Sequence, residues 1–230
     1  VGKLFLQYSA RSNLKRIVLE LGGKNPCIVM DDAENLDYVA EQAVMACFWN
    51  MGQNCTSNSR LIVHRRIKDA LVEKVLEKTA DWRTGYPLDP TNKLGAMVSK
   101  EHFDSVMSYI ELGRKEGAVV ALGGEPIECR GGVYIEPTIF EGVRNDMAIG
   151  REEIFGPVMS VIEVESADEA LSVANDTVYG LQASLFTSNV RLAHRMARQI
   201  EAGTVTVNCY GEGDIPTPFG SVSTDGLGSR

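Results

Sequence analysis

The sequence has no GxGxxG motif, no CxxC pair and no apolar run approaching the roughly 18 to 20 residues that span a bilayer. The first absence leaves a complete classical dinucleotide-binding fold unsupported by these residues alone. The second bears on the five cysteines, Cys27, Cys47, Cys55, Cys129 and Cys209, which are odd in number and widely spaced. They read as reduced thiols, not as a disulfide framework or a zinc site. Histidine is scarce: His64, His102 and His194 are scattered, and none pairs with a cysteine at metal-ligand spacing. No metal site is expected. Positive charge is short too, with 23 Lys and Arg against 31 Asp and Glu and a net charge of −8. An acidic chain without a basic stripe repels phosphate backbones, which argues against nucleic acid as a partner. No secretory leader is visible, and the apolar pattern gives no reason to expect a membrane partner. These absences fit a cytoplasmic protein. The chain opens on Val1 rather than methionine, as a fragment, a processed form or the ordered part of a longer protein does.

What is present suits a globular core. The 230 residues are 44% hydrophobic and 23% charged, enough for one large domain or one and a half ordinary ones. Apolar periodicity predicts helices over residues 3–14, 35–50, 67–82, 100–117, 167–175 and 190–201. Strand-like runs fall at 16–21, 27–30, 61–64, 118–122, 159–164, 182–186 and 204–208, with an irregular extended stretch at 134–140 around Pro137. Residues 84–94 and 211–230 read as loops. Strands alternating with helices predict an α/β layered fold with a largely parallel sheet and flanking helices.

Two side chains have chemistry to offer. Cys55 lies in FWNMGQNCTSNSR (residues 48–60), among Gly, Asn, Ser and Thr just after an apolar helical run. A reactive thiol must be thiolate-prone and reachable, and this setting makes it reachable. Glu20 is the lone acid in the apolar run IVLEL, 35 residues before Cys55 (55 − 20). Burial raises a carboxyl pKa and suits it to act as a general base near neutral pH. A lone loop cysteine is also often incidental, and a lone Glu at a strand end is often satisfied by local backbone.

Taken together, six segments resemble the aldehyde dehydrogenase superfamily. LELGGKNP (19–26) is similar to its glutamate signature and FWNMGQNCTSNSR to its cysteine signature. REEIFGPV (151–158) resembles its cofactor-ribose motif. NDTVYGLQASLFT (175–187), AGTVTVN (202–208) and PFG (218–220) resemble further blocks, in the family's order. The resemblance implies that residues 1–21 are the tail end of a coenzyme-binding domain, most of which is absent. Residues 22–230 would be the catalytic domain, with substrate-tunnel and anchor loops at its end.

The resemblance also implies roles. Cys55 is the nucleophile, its backbone N–H holding part of the oxyanion, and Glu20 is the general base that activates water. Glu153 binds the nicotinamide-side ribose of NAD or NADP, Phe155 packs near the nicotinamide, and Leu21 meets the carboxamide through its backbone. Lys24, Gly22, Gly23 and Asn208 hold the site's shape. Phe48, Trp49 and Phe219 would wall the substrate tunnel, and the acids Glu212 and Asp214 would favour a cationic amine on a small aldehyde, as in aminoaldehyde dehydrogenases of the γ-glutamyl-γ-aminobutyraldehyde type in polyamine breakdown. The family implies a dimer or tetramer. After Phe219 and Gly220 the chain departs from the family pattern, reading SVSTDG where glycine, an aromatic and lysine are usual. Two other readings stay open: a thioesterase or esterase using Cys55, which needs a histidine beside it although the expected strand carries His64, the nearest in sequence, away, and a non-catalytic remnant with the site kept. The chain by itself is expected to be an incomplete enzyme.

Overall fold

The computed structural model describes every residue except 212, 214, 215, 224, 225 and 228–230. In chain order the elements are α1 (Gly2–Arg11), β1 (Leu19–Glu20), β2 (Pro26–Val29), α2 (Leu36–Phe48), a 3-10 turn (Trp49–Gly52), β3 (Arg60–His64), α3 (Lys68–Thr79) and α4 (Lys100–Lys115). There follow β4 (Val119–Leu122), β5 (Pro126–Cys129), β6 (Gly132–Ile135), β7 (Thr138–Glu141), α5 (Ala148–Arg151), β8 (Val158–Val164), α6 (Ala167–Asn175), β9 (Gln182–Phe186), α7 (Val190–Gln199), β10 (Thr204–Val207) and β11 (Gly226–Leu227).

Seven of the strands form one sheet in the order β10-β9-β2-β3-β8-β7-β4. Every pairing in it is parallel except β7 with β4 at the edge. Strands buried on both faces read as continuous apolar runs, and β2, β3 and β9 are buried along their whole length. Alternate residues still divide between two cores. Ile28, Ile62 and Leu185 pack with Val106 and Ile110 of α4, Ala170 of α6 and Met196 of α7. Cys27, Val29, Leu61 and Val63 pack on the opposite face with Val44 of α2 and Val75 of α3. Helix starts follow side-chain capping: Ser99 accepts from the His102 N–H and Ser166 from the Glu169 N–H.

The structure departs from the sequence expectation in four places. The strand expected at 16–21 is only Leu19–Glu20; it pairs antiparallel with β11 outside the large sheet, inside the segment expected to be loop. The extended stretch at 134–140 divides into β6 and β7, because Pro137 cannot donate to a ladder. The hairpin of β5 and β6 and the short helix α5 carry no periodicity long enough to read. Helix α7 does carry a basic face, with exposed Arg191, His194, Arg195 and Arg198 at helical spacing. Among the described residues, no helix is long and apolar enough to cross a membrane, and no group of three or more His, Cys, Asp or Glu is placed to hold a metal ion.

Candidate active site

Three segments meet at the amino ends of neighbouring parallel strands: residues 21–25 before β2, 53–59 before β3 and 152–157 before β8. Glycine is what lets them approach. A Cβ on Gly22 would stand 2.3 Å from Glu153 Oε2, and one on Gly23 would stand 2.3 Å from the Cys55 carbonyl oxygen. Gly52 has φ +65°, and a Cβ there would stand 2.1 Å from the Gly156 carbonyl oxygen. Only glycine meets both demands without strain. The Gly23 N–H also donates to Glu153 Oε1 at 3.0 Å.

Side chains then lock the loops. Asn25, buried, donates through Nδ2 to the carbonyls of Cys55 at 2.8 Å and Ser57 at 2.9 Å, and its Oδ1 accepts from the Gln182 N–H at 3.1 Å. Arg60, fully buried, donates to the Lys24 carbonyl at 2.9 Å and to the Val173 and Ala174 carbonyls, both at 2.9 Å. It ties the glycine turn to the last turn of α6, where a cation meets the exposed carbonyl end of the helix dipole.

Cys55 is half-buried, and burial pushes its thiol above the ordinary value. The charges of Glu20 and then Glu153 push the same way, while the N–H groups of Cys55 and Thr56 pull it down. Burial and the two carboxylates thus act together toward the protonated form of the thiol. The core thiols are inert by comparison: burial drives Cys27 and Cys47 up to about 12. Glu20 is exposed, so the expected burial of this acid is not found. Its electrostatic effect on Cys55 nevertheless marks the two as neighbours.

The other expected residues are placed as follows. Phe155 has φ +56°, an unusual conformation for a bulky residue, and the residue is 37% exposed. Its carbonyl is 2.6 Å from His102 Nε2, and the two rings meet edge to face at 5.9 Å. Leu21, Trp49 and Phe219 are exposed. Phe48 is fully buried in the core beside α2's other apolar residues, so it has no surface to offer a substrate, and the tunnel-wall expectation for it is corrected. Glu212 and Asp214 lie outside the described residues. Asn208 exchanges hydrogen bonds with the backbone N–H and carbonyl of Thr187, both at 3.0 Å, which ties the end of β10 to β9. Lys24 is fully buried, its Nζ has no hydrogen-bond partner among the described residues, and burial followed by the Arg60 charge lowers it to about 7. His64 lies at the far end of β3 from Cys55, about 13 Å further along the strand; it pairs with no nucleophile there.

Sequence reasoning missed Asn25, His102 and Tyr210. The Tyr210 hydroxyl meets Asn54 Nδ2 at 3.2 Å and Thr56 Oγ1 at 3.3 Å, on either side of Cys55. Each acts across a long sequence separation; Asn25 lies within LELGGKNP, but nothing in that segment names its partners.

Several known proteins resemble this chain in sequence and fold. The signature described as "Aldehyde dehydrogenase family" matches residues 1–230. An aminoacetaldehyde dehydrogenase of Pseudomonas aeruginosa is 52% identical over 229 residues, which is 100% of this chain and 46% of that protein. The crystal structure of a γ-glutamyl-γ-aminobutyraldehyde dehydrogenase from Burkholderia cenocepacia superposes with a TM-score of 0.94 at 50% identity, covering 98% of this chain and 46% of that one. An indole-3-acetaldehyde dehydrogenase of P. syringae, solved with NAD+ and IAA, superposes with a TM-score of 0.95 at 45% identity, covering 98% and 46%. The chain belongs to the aldehyde dehydrogenase family. It spans about half the length of the relatives it matches.

Proposed function

We propose that the protein bearing this chain oxidises an aldehyde to its carboxylic acid with NAD or NADP, through a thioester on Cys55. The observation that carries the reading is the closure of one turn, Gly22 and Gly23, on both Glu153 and Cys55. The nucleophile and an acid suited to a ribose therefore share a wall. The thiol gives its proton to a base, and of the two acids whose charges Cys55 feels, Glu20 acts the more strongly. The sulfur then attacks the aldehyde carbonyl, forming a C–S bond and an oxyanion, which the Cys55 N–H helps to hold. NAD or NADP, when bound, accepts the hydride that leaves the former aldehyde carbon. Exposed Glu20 passes the thiol proton to solvent and then deprotonates the water that cleaves the thioester; the acid leaves and the Cys55 sulfur takes up a proton.

The residues fit such a cofactor. Glu153 is tethered by the Gly23 N–H, and Gly22 leaves room beside its carboxylate. Phe155 turns a part-exposed ring outward with its carbonyl pinned by His102. Glu153 would hold the ribose, Phe155 the nicotinamide face, and the Leu21 backbone the carboxamide. Residues 1–21 are assigned to the tail of the coenzyme domain and 22–230 to the catalytic domain; the separation of α1 and β1 from the seven-stranded sheet supports this division.

The substrate is assigned as an aminoaldehyde. The names of the P. aeruginosa and B. cenocepacia relatives support this, and Trp49 and Phe219 are exposed for an aromatic wall; the ammonium is assigned to Glu212 and Asp214 from the sequence alone. A cytoplasmic location, supported by five cysteines outside any disulfide among the described residues, and a dimer or tetramer complete the reading. The test is reduction of NAD or NADP by a protein of the relatives' full length, with γ-aminobutyraldehyde and an uncharged aldehyde of equal length. A preference for the amine supports the assignment, and equal turnover of both removes the role of the two acids. The 230 residues alone are expected not to turn over at a useful rate.

A further inference from the structure

The side chain of Asn54 is held on all sides. The Thr56 backbone N–H, which can only donate, lies 3.3 Å from Asn54 Oδ1. That contact fixes the amide with its oxygen on this side and its nitrogen on the other. Nδ2 accordingly faces two hydroxyls, Thr56 Oγ1 at 2.9 Å and Tyr210 at 3.2 Å. The same Oδ1 receives the Cys55 thiol at 4.0 Å. Tyr210 is itself fixed, because its N–H donates to Gln42 Oε1 on α2 at 2.9 Å.

We propose that Tyr210 is a positioning residue: its hydroxyl holds the Asn54 amide with the oxygen toward Cys55, and so keeps the nucleophile as a thiol, oriented and at rest. A carbonyl oxygen accepts from S–H and repels S⁻, so this orientation favours the neutral sulfur. Loss of the hydroxyl leaves the amide held by Thr56 alone, through its N–H and Oγ1, which loosens the oxygen's place beside the sulfur and weakens the bias toward the thiol. The titratable and charged groups facing Cys55 are Glu20 on β1, Glu153 before β8 and Tyr210 after β10. Substitution of Tyr210 by Phe leaves the two carboxylates in place. The proposal rests on the reading of Cys55 as the nucleophile, but its effect is on a thiol and is measurable without aldehyde or nicotinamide.

The experiment is the pH dependence of Cys55 alkylation by iodoacetamide, followed by peptide mass and with Cys55→Ser as the blank. Tyr210→Phe and Asn54→Leu are each expected to lower the midpoint by about half a pH unit, which is about threefold faster alkylation below the midpoint. The double variant is expected to match Asn54→Leu, since Tyr210 acts through Asn54. Tyr210→Met is made alongside, so that a folding failure in one variant leaves the other to read. An unmoved or raised midpoint in the Tyr210 variants overturns the proposal, as does an additive shift in the double. A lowered midpoint in a protein that then fails to oxidise aldehydes supports the proposal and removes only the enzymatic reading.

Discussion

Asn25 and Cys55, thirty residues apart in sequence, are joined by a hydrogen bond from Asn25 Nδ2 to the Cys55 carbonyl at 2.8 Å. The bond reaches the nucleophile through its backbone, not its sulfur. It therefore fixes where the sulfur stands without altering its chemistry directly. Asn25→Ala would leave the Cys55 and Ser57 carbonyls and the Gln182 N–H without this partner. A loss of about 3 kcal/mol in unfolding free energy is expected, since unpaired buried polar groups are costly to keep. Urea unfolding of the two proteins measures it. A change below about 0.5 kcal/mol would show the bridge to be incidental.

The two glycines of the turn should answer differently to alanine. At Gly22 the obstructing atom is the end of the Glu153 side chain; at Gly23 it is a backbone oxygen of Cys55. A side chain swings away more readily than a backbone. Gly22→Ala is expected to fold normally and to lose about tenfold in NAD affinity through Glu153, about 1.4 kcal/mol. Gly23→Ala is expected to lower the melting temperature and to slow Cys55 alkylation. Calorimetric NAD titration of the full-length protein and thermal melts separate the two; the reverse pattern would contradict the assignment of Glu153.

Buried Lys24 makes stability depend on pH. Its folded value is about 7 against an ordinary 10.5. Below about pH 7 the amine is protonated in folded and unfolded chains alike, and the burial penalty is present in full. Between pH 7 and 10.5 only the unfolded chain holds the proton, so stability rises with pH; above that range the penalty is gone. The whole span is on the order of 5 kcal/mol. Lys24→Met is expected to be the more stable protein at pH 6 to 7, with the difference shrinking by about pH 9 as the amine loses its proton. Denaturant melts of both proteins at each pH measure the gap; a gap independent of pH contradicts a buried titrating amine.

Much of the fold was legible because its signals are local. The alternation of strand and helix marked the parallel sheet, and the apolar runs of β2, β3 and β9 marked strands covered on both faces. Cys55 and Glu20 stood out as reactive groups in unusual neighbourhoods. Phe48 was misjudged by its proximity to Cys55 in the chain, although Val44, Cys47 and Phe48 at helical spacing already place it on the buried face of α2. The burial expected of Glu20 failed because β1 is two residues long and stands apart from the large sheet. Asn25 stood inside LELGGKNP, but neither its bridging role nor that of Tyr210 could be read. Their partners lie 157 residues away at Gln182 and 156 and 154 away at Asn54 and Thr56, and only the folded chain brings them together.

The most direct test of the account is the intact mass of full-length Glu20→Gln after exposure to γ-aminobutyraldehyde and NAD, with peptide mapping of the product. Loss of the base is expected to slow thioester hydrolysis by about 10² to 10⁴-fold and so to trap the acyl group on Cys55. The account predicts a mass gain equal to one acyl group, mapped to Cys55 and missing from Cys55→Ser. An unmodified protein that still reduces NAD at the wild-type rate, or an acyl group on any other cysteine, would contradict it.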